Sequence, residues 1–313
     1  MPKKNFISKN WLKLTDKAAY KHYKAELDLE RREAETHRLY HEQITYDPVQ
    51  TIAAAKSKGF IYVTHSGNAG DIIYALPTLK KLHELSGADI NLLLKLNRPI
   101  VLNPKYTHPL GNVMLNQKMA DMLSPLIEAQ PYIASCRVYN GDDIDIDLDN
   151  FRTPLIPMDK GNIARWCSYL TGISPDLHVN WLDVEADNNY NDTIVLARSE
   201  RYRNDFINHQ FLNQYPNKVF IGVDSEYNDM KRMLPDLKRV EIQNFTQMAS
   251  IIAGCKFFIG NQSFPFAIAE ALKVPRILEL SFEVINVVPE GGLSFDFLFQ
   301  KHFENYVATL NNS

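Results

Sequence analysis

The chain has 313 residues, of which 45% are hydrophobic and 23% charged, the proportions of a globular protein long enough for two α/β domains. A net charge of −3 and a pI near 6.3 argue against a broadly basic nucleic-acid surface, while leaving room for a local patch. No apolar stretch is long enough to span a membrane, and the lysines of Met1–Asn5 lead into no secretory-type apolar segment. A cytoplasmic location is therefore expected, with any membrane contact peripheral.

Residues 1–56 read as a helical extension. From Thr15 to Gln43 the sequence is charged and free of glycine and proline, which predicts a long helix capped by Thr15 or Asp16 and ended by Tyr46-Asp47-Pro48. Its apolar stripe (Ala19, Tyr20, Tyr23, Leu27, Ala34) is weak. It fits a solvated helix lying on the body or an arm for a partner or a second copy.

From Phe60 strands and helices alternate. Strands are expected at Phe60–Thr64, Ala88–Lys95 and Ser135–Tyr139, with helices at Ile72–Leu85 and Gln117–Ala129. The run Asp142-Asp143-Ile144-Asp145-Ile146-Asp147-Leu148-Asp149 alternates with period two. It predicts a short strand with one wet face, and it lacks the glycine and glutamate of a calcium loop. Gly161–Gly172 reads as a helix stopped by glycine, and Ile173–Asp192, rich in Asp and Asn, as a linker. Strands are then expected at Thr193–Ala197, Val219–Val223, Arg239–Ile242, Cys255–Ile259 and Arg276–Leu280. Asn244–Gln247 looks like a capping box opening a helix over Phe245–Ala253. A helix follows over Phe264–Leu272, and Phe295–Leu310 reads as an amphipathic helix. The expected division is 57–185 for a first Rossmann-like domain, 186–290 for a second, and 291–313 for a terminal helix.

Two loops carry the chemistry. His65-Ser66-Gly67-Asn68-Ala69-Gly70-Asp71 and Gly260-Asn261-Gln262-Ser263 each join a strand to a helix N-terminus, where free N–H groups and the helix dipole suit an anion. The first lacks the dinucleotide and P-loop patterns. Asp71 fits either a first-turn helix acid or a general base aimed between the domains. The second loop suits a diphosphate better than a metal, since it holds no carboxylate. Arg198, Ser199, Arg201 and Arg203 follow a strand and could meet phosphate oxygens, or form a solvated charge cluster. Glu226 is a further candidate at the edge of the cleft. Glu270 reaches a ribose only if a ligand runs along its helix, and otherwise is a surface acid or a buried ion-pair partner. Cys136, Cys167 and Cys255 are far apart and read as reduced, buried thiols. The histidines, His83 and His178 among them, show no ligand spacing; only His65 stands beside a corner.

Gly70-Asp71-Ile72-Ile73-Tyr74-Ala75-Leu76-Pro77-Thr78-Leu79 resembles the Gly-Asp…Ala-Leu-Pro-x-Leu signature of family 9 glycosyltransferases, the heptosyltransferase group. The segment from Ile251-Ile252-Ala253-Gly254-Cys255 to Pro275 is similar to the donor-site segment of that family. The resemblance implies a GT-B fold, with the donor in the second domain, the acceptor facing the first, and the C-terminal helix crossing back to the first. It also implies inverting, metal-independent transfer from a nucleotide-diphosphate sugar to a hydroxyl of a glycan or lipid-linked glycan, with Asp71 as base. No further cofactor is implied. Gln262, Phe264 and Ala267 stand where the family usually has Asp, Gly and His, so the donor sugar stays open. Other expectations to weigh are a transferase acting on nucleic-acid bases, a nucleotide-sugar epimerase, and a non-catalytic binding protein.

Overall fold

A computed structural model describes residues 4–42, 45–100, 110–152 and 156–313. The chain opens with α1 (Phe6–Thr15), α2 (Lys17–His41) and α3 (Pro48–Lys58). Asp16 caps α2 by accepting the Ala19 N–H, as expected. The expected end of that helix at Gln43 lies outside the described residues, as do Met1–Lys3. Helix α1 is an addition to the expected elements, and α3 is another. Asp47-Pro48, expected as the end of the preceding helix, starts the next: Asp47 caps it, Pro48 stands in its first turn and Gly59 closes it at φ +75°.

The first sheet contains β1 (Phe60–His65), β2 (Asp89–Leu94), β3 (Ile133–Val138) and β4 (Ile146–Asp147), all parallel, in the order β3-β2-β1-β4. Helices α4 (Ala69–Ser86) and α5 (Gln117–Glu128) connect the first three strands, and α6 (Trp166–Thr171) follows the fourth. The acidic run forms only a two-residue strand and then turns into a 3-10 helix at Leu148–Arg152. Asp145, Asp147 and Asp149 are drawn to side-chain and backbone donors around β1, while Asp143 faces water and Asp142 pairs with Arg137 of β3. The expected helix over Gly161–Gly172 is shortened to a 3-10 turn at Ile163–Arg165 followed by α6.

The second sheet contains β5 (Ile194–Ala197), β6 (Lys218–Phe220), β7 (Lys238–Arg239), β8 (Phe257–Asn261), β9 (Arg276–Glu279) and β10 (Ser294–Phe297). It too is parallel, in the order β10-β9-β8-β5-β6-β7. Helices α7 (Asp224–Met233), α8 (Phe245–Gly254), α9 (Phe264–Leu272) and α10 (Gln300–Asn312) complete it. The capping box is rearranged: Asn244 accepts the Gln247 N–H, while the Gln247 side chain accepts from Gln243. The single helix expected over Phe295–Leu310 is split, because Phe295–Phe297 pairs with β9 as an edge strand. The C-terminal helix does not cross back to the first domain. Phe303, Val307 and Leu310 of α10 are buried against Ile194, Phe257, Ile277 and Phe297 of the second sheet. Phe297 and Phe303 stack at 4.2 Å, fixing that side.

The expected linker over Ile173–Asp192 is a buried strap, with Ile173, Leu177, Trp181 and Leu182 all within the core. The cause lies in α4. Pro77 sits inside that helix and has no N–H, so the Ile73 carbonyl loses its helical partner. The indole N–H of Trp181 supplies the missing donor at 3.0 Å. The backbone N–H groups of Trp181 and Leu182 donate to Ala271 at the end of α9, and the Lys273 ammonium lies 4.4 Å from the Trp181 ring centroid. One indole thus ties α4 to α9, and α5 packs on α8 beside them, joining both halves in one core.

Trp181→Phe removes that donor and leaves a buried carbonyl unpaired, at an expected cost of about 1–3 kcal/mol. Pro77→Ala restores a helical N–H to the same carbonyl. Denaturant unfolding of both single variants and the double variant should show Trp181→Phe costing markedly less in the Pro77→Ala background.

Candidate active site

The carboxyl end of β1 delivers the first corner onto α4. Three aspartates from the acidic run brace β1 and the corner. Asp145 accepts the Tyr62 N–H at 2.9 Å and pairs with Lys58. Asp147 accepts from the Thr64 hydroxyl at 3.0 Å and from Lys95 at 2.8 Å. Asp149 accepts both the Ser66 N–H and its hydroxyl, at 2.9 and 2.7 Å, and Arg98 reaches the same hydroxyl at 3.0 Å. Burial opposes ionisation of Asp147, but the bonds from Lys95, the Asp149 amide and Thr64 outweigh it and lower its pKa.

Past Ser66 the corner tightens. The Gly67 N–H donates to Nδ1 of the buried His65 at 2.9 Å. A Cβ on Gly67 would stand 2.5 Å from Arg152 Nη2, 2.6 Å from His65 Cε1 and 2.7 Å from Asp71 Oδ2, so any side chain there would have to displace these groups. Asp71 Oδ2 accepts from Arg152 Nη2 at 2.8 Å and from the Asn68 N–H at 3.2 Å. It is therefore both a first-turn helix acid and one half of an ion pair. The Arg152 guanidinium in turn lies 4.6 Å from the Phe151 ring centroid. Asp71 Oδ1 has no bond among the described residues and the side chain keeps 18% of its exposure. Gly70 meets the other half of the molecule, a Cβ there lying 3.6 Å from Phe264 Cα. The two corners are brought into contact, N-terminus of α4 against N-terminus of α9.

The second corner is organised differently. Gly260 and Asn261 belong to β8, and Gly260 is glycine because a Cβ would meet Phe258 Cε1 at 2.7 Å and the Ala197 carbonyl at 3.0 Å. Asn261 is fully buried. It accepts the Ser199 N–H at 2.9 Å and donates to the Ser199 and Arg201 carbonyls at 3.1 and 2.7 Å. Gln262 donates to Asn286 at 2.7 Å, and the Ser263 hydroxyl turns back to the Asn261 carbonyl at 3.1 Å.

Of the three arginines, two are engaged internally. Arg198 makes a bidentate pair with Glu279, both contacts at 2.7 Å, in a buried cluster with His209. Arg203 binds the Ser199 carbonyl and Asp229, each at 2.8 Å. The Arg201 side chain, half-buried, makes only a ring contact with Tyr202 among the described residues. Glu226 accepts from the Glu200 and Val223 N–H groups at the start of α7, and burial raises its pKa. Glu270 is a buried ion-pair partner of Arg276 and Lys273, each at 2.5 Å, so it faces no open groove.

The acidic ladder and Arg152 escaped the sequence reading. Period-two spacing did place Asp145, Asp147 and Asp149 together, and that signal could have found the ladder. Nothing local marks Arg152 as the partner of Asp71. All three cysteines are free and buried. Among the described residues no cluster of histidine, cysteine and carboxylate groups forms a metal site, and no helix is long and apolar enough to cross a membrane.

Two Rossmann-like parallel sheets with the β1–α4 and β8–α9 corners in contact define the GT-B architecture. Solved glycosyltransferases share it. The chain superposes on E. coli ADP-heptose LPS heptosyltransferase II with a TM-score of 0.55 at 10% identity, over 81% of this chain and 98% of that one. For E. coli heptosyltransferase WaaC, solved with ADP-2-deoxy-2-fluoro heptose, the values are 0.54, 10%, 80% and 99%. For a family 9 glycosyltransferase of Veillonella parvula they are 0.50, 13%, 80% and 88%. No protein-family profile and no curated protein sequence matches the chain. The likeness read from the two motifs is thus borne out at the level of fold.

Burial, reinforced by the Arg152 charge, pushes the His65 pKa down to about 4, and burial does the same for His209. Unfolded histidines titrate near pH 6.5. Between these values the unfolded chain binds protons that the folded chain refuses, so stability is full above about pH 6.5 and falls as the pH drops towards 4. Urea unfolding should show a loss of stability from pH 7 to pH 5, and His209→Gln should flatten that slope.

Proposed function

We propose that the chain is a glycosyltransferase that moves a sugar from a nucleotide-diphosphate donor to a hydroxyl acceptor, a glycan or lipid-linked glycan, with inversion and with Asp71 as general base. The observation that carries this reading is the carboxylate of Asp71. One oxygen is held by Arg152 and the Asn68 N–H, the other is left to act, and the neighbouring Gly70 abuts the N-terminus of α9. Asp71 Oδ1 takes the proton of the acceptor hydroxyl as that oxygen attacks the anomeric carbon from the face opposite the departing diphosphate. The bond from that carbon to the diphosphate oxygen breaks, and its electron pair leaves with the nucleotide. The first-turn N–H groups of α9 and the Arg201 guanidinium are suited to the charge that develops. Helix and guanidinium together meet that charge without calling on a metal.

A second reading is favoured by a separate observation. Arg198, Gln262 and Glu270 already have internal partners, which leaves fewer side chains for a donor and fits a protein that holds a sugar nucleotide through its backbone corner without turning it over.

A panel of nucleotide sugars, followed by thermal shift and by nucleotide release with and without glycan acceptors, separates the two. Transfer predicts acceptor-dependent release; the second reading predicts a thermal shift and no release. Asp71→Asn can keep both hydrogen bonds but gives up the charge of the ion pair with Arg152, so it should keep donor binding, lower the melting temperature and lower turnover by roughly 10²-fold or more. Unchanged turnover in that variant would remove Asp71 from the chemistry.

A further inference from the structure

The first helix is amphipathic in a way its own hairpin does not use. Helix α1 folds back on α2, fixed by the Lys4 N–H to the Tyr23 hydroxyl at 2.8 Å and by the half-buried Leu12. Phe6, Ile7, Trp11 and Leu14 share the opposite side of α1, and all four are between 66% and 83% exposed. Four large apolar side chains on ten residues form a continuous stripe rather than scattered surface hydrophobics. Nothing among the described residues covers it, since α1 and α2 pack chiefly on each other.

The charge around the stripe selects the partner. Residues 3–24 carry seven lysines (Lys3, Lys4, Lys9, Lys13, Lys17, Lys21, Lys24) against one acid, Asp16, in a chain whose net charge is −3. Lys13 borders the apolar arc of α1 on one side, and Lys9 stands one turn before it on the same face. Lys17, Lys21 and Lys24 recur at i, i+4 and i+7 along one face of α2. Lysines flanking an apolar face can lay their stems on hydrocarbon and raise their ammonium groups to phosphate level. A tryptophan in the stripe suits the same boundary. A second copy of this chain is a poorer occupant, because a two-fold contact through α1 would bring the lysine rows face to face. The acidic remainder of the chain would be repelled from the same surface that attracts the arm.

We propose that the α1–α2 hairpin is a membrane-surface arm that docks the Phe6–Ile7–Trp11–Leu14 face into an anionic lipid bilayer, its lysines on the phosphate headgroups. The arm lies flat in the interface and spans nothing. It would hold the chain beside a lipid-linked acceptor, yet its docking does not depend on the transfer reaction.

The test is partition of the full chain onto vesicles of phosphatidylcholine alone and of phosphatidylcholine mixed with phosphatidylglycerol. Binding to the mixed vesicles should exceed binding to the neutral ones by tenfold or more, and fall as salt is raised, at roughly fivefold per engaged lysine. Trp166 and Trp181 are buried, so a blue shift of tryptophan emission on binding reports Trp11. The pair Phe6→Ser and Trp11→Ser, and separately Lys9→Glu with Lys13→Glu, should abolish partition with unchanged melting temperature, since these side chains lie outside the core. Equal binding to both vesicle types, binding to neither, or self-association in solution that the serine pair reverses would each overturn the proposal.

Discussion

The bond from the Trp181 indole to the Ile73 carbonyl organises the relation between the two sheets. It exists because Pro77 interrupts the ladder of α4 at a buried position, where an unpaired carbonyl would be costly. The donor comes from the segment between the domains, whose own N–H groups end α9 at Ala271. A helix defect in one half is thus repaired by a residue bonded to a helix in the other. The result fixes how α4 and α9 meet, and therefore that Gly70 abuts Phe264 and that Asp71 stands at the junction.

The electrostatics of the two corners follow opposite designs. Around the first, carboxylates accept from backbone donors and cations: Asp145, Asp147 and Asp149 hold the strand end, and Arg152 holds Asp71. Each bond fixes the loop and leaves one oxygen of Asp71 outward. Around the second, polar groups close on one another. Asn261 locks the loop after β5, and Arg198 is absorbed by Glu279. The first corner leaves one carboxylate oxygen of Asp71 without a bond among the described residues, whereas the side chains of the second are largely closed on one another.

Most of the strand–helix alternation was legible because it depends on local patterns. Runs such as Leu92–Leu94 and Ile194–Ala197 are apolar on both faces, as parallel strands covered by helices require. Helix starts at Asp16, Asn244 and Asn116 carry their own capping residues. Helix α3 also announced itself, through Asp47, Pro48 and Gly59, but the same dipeptide reads equally well as a stop. Phe295–Phe297 is too short for its period to separate strand from helix, and only pairing with β9 decides it. The site was less legible because its meaning lies in distant partners. Trp181 meets Ile73 across 108 positions, Arg152 meets Asp71 across 81, and Arg198 meets Glu279 across 81. A strand-end arginine looks the same in sequence whether it awaits a phosphate or already holds a glutamate.

That last ambiguity constrains how a diphosphate could be held. Arg198 and Glu279 are both buried, and separating such a pair to free the arginine leaves an uncompensated carboxylate, at a cost of about 3–5 kcal/mol. A single phosphate contact to the released guanidinium returns about 1.5–3 kcal/mol. The exchange is unfavourable, so the pair stays closed. The same reasoning applies to Glu270, which two cations already neutralise. In the proposed reaction, charge complementarity for a departing diphosphate would therefore fall to the first-turn N–H groups of α9 and to Arg201. Both can act without breaking a buried ion pair, and both lie on the second half, across the junction from Asp71.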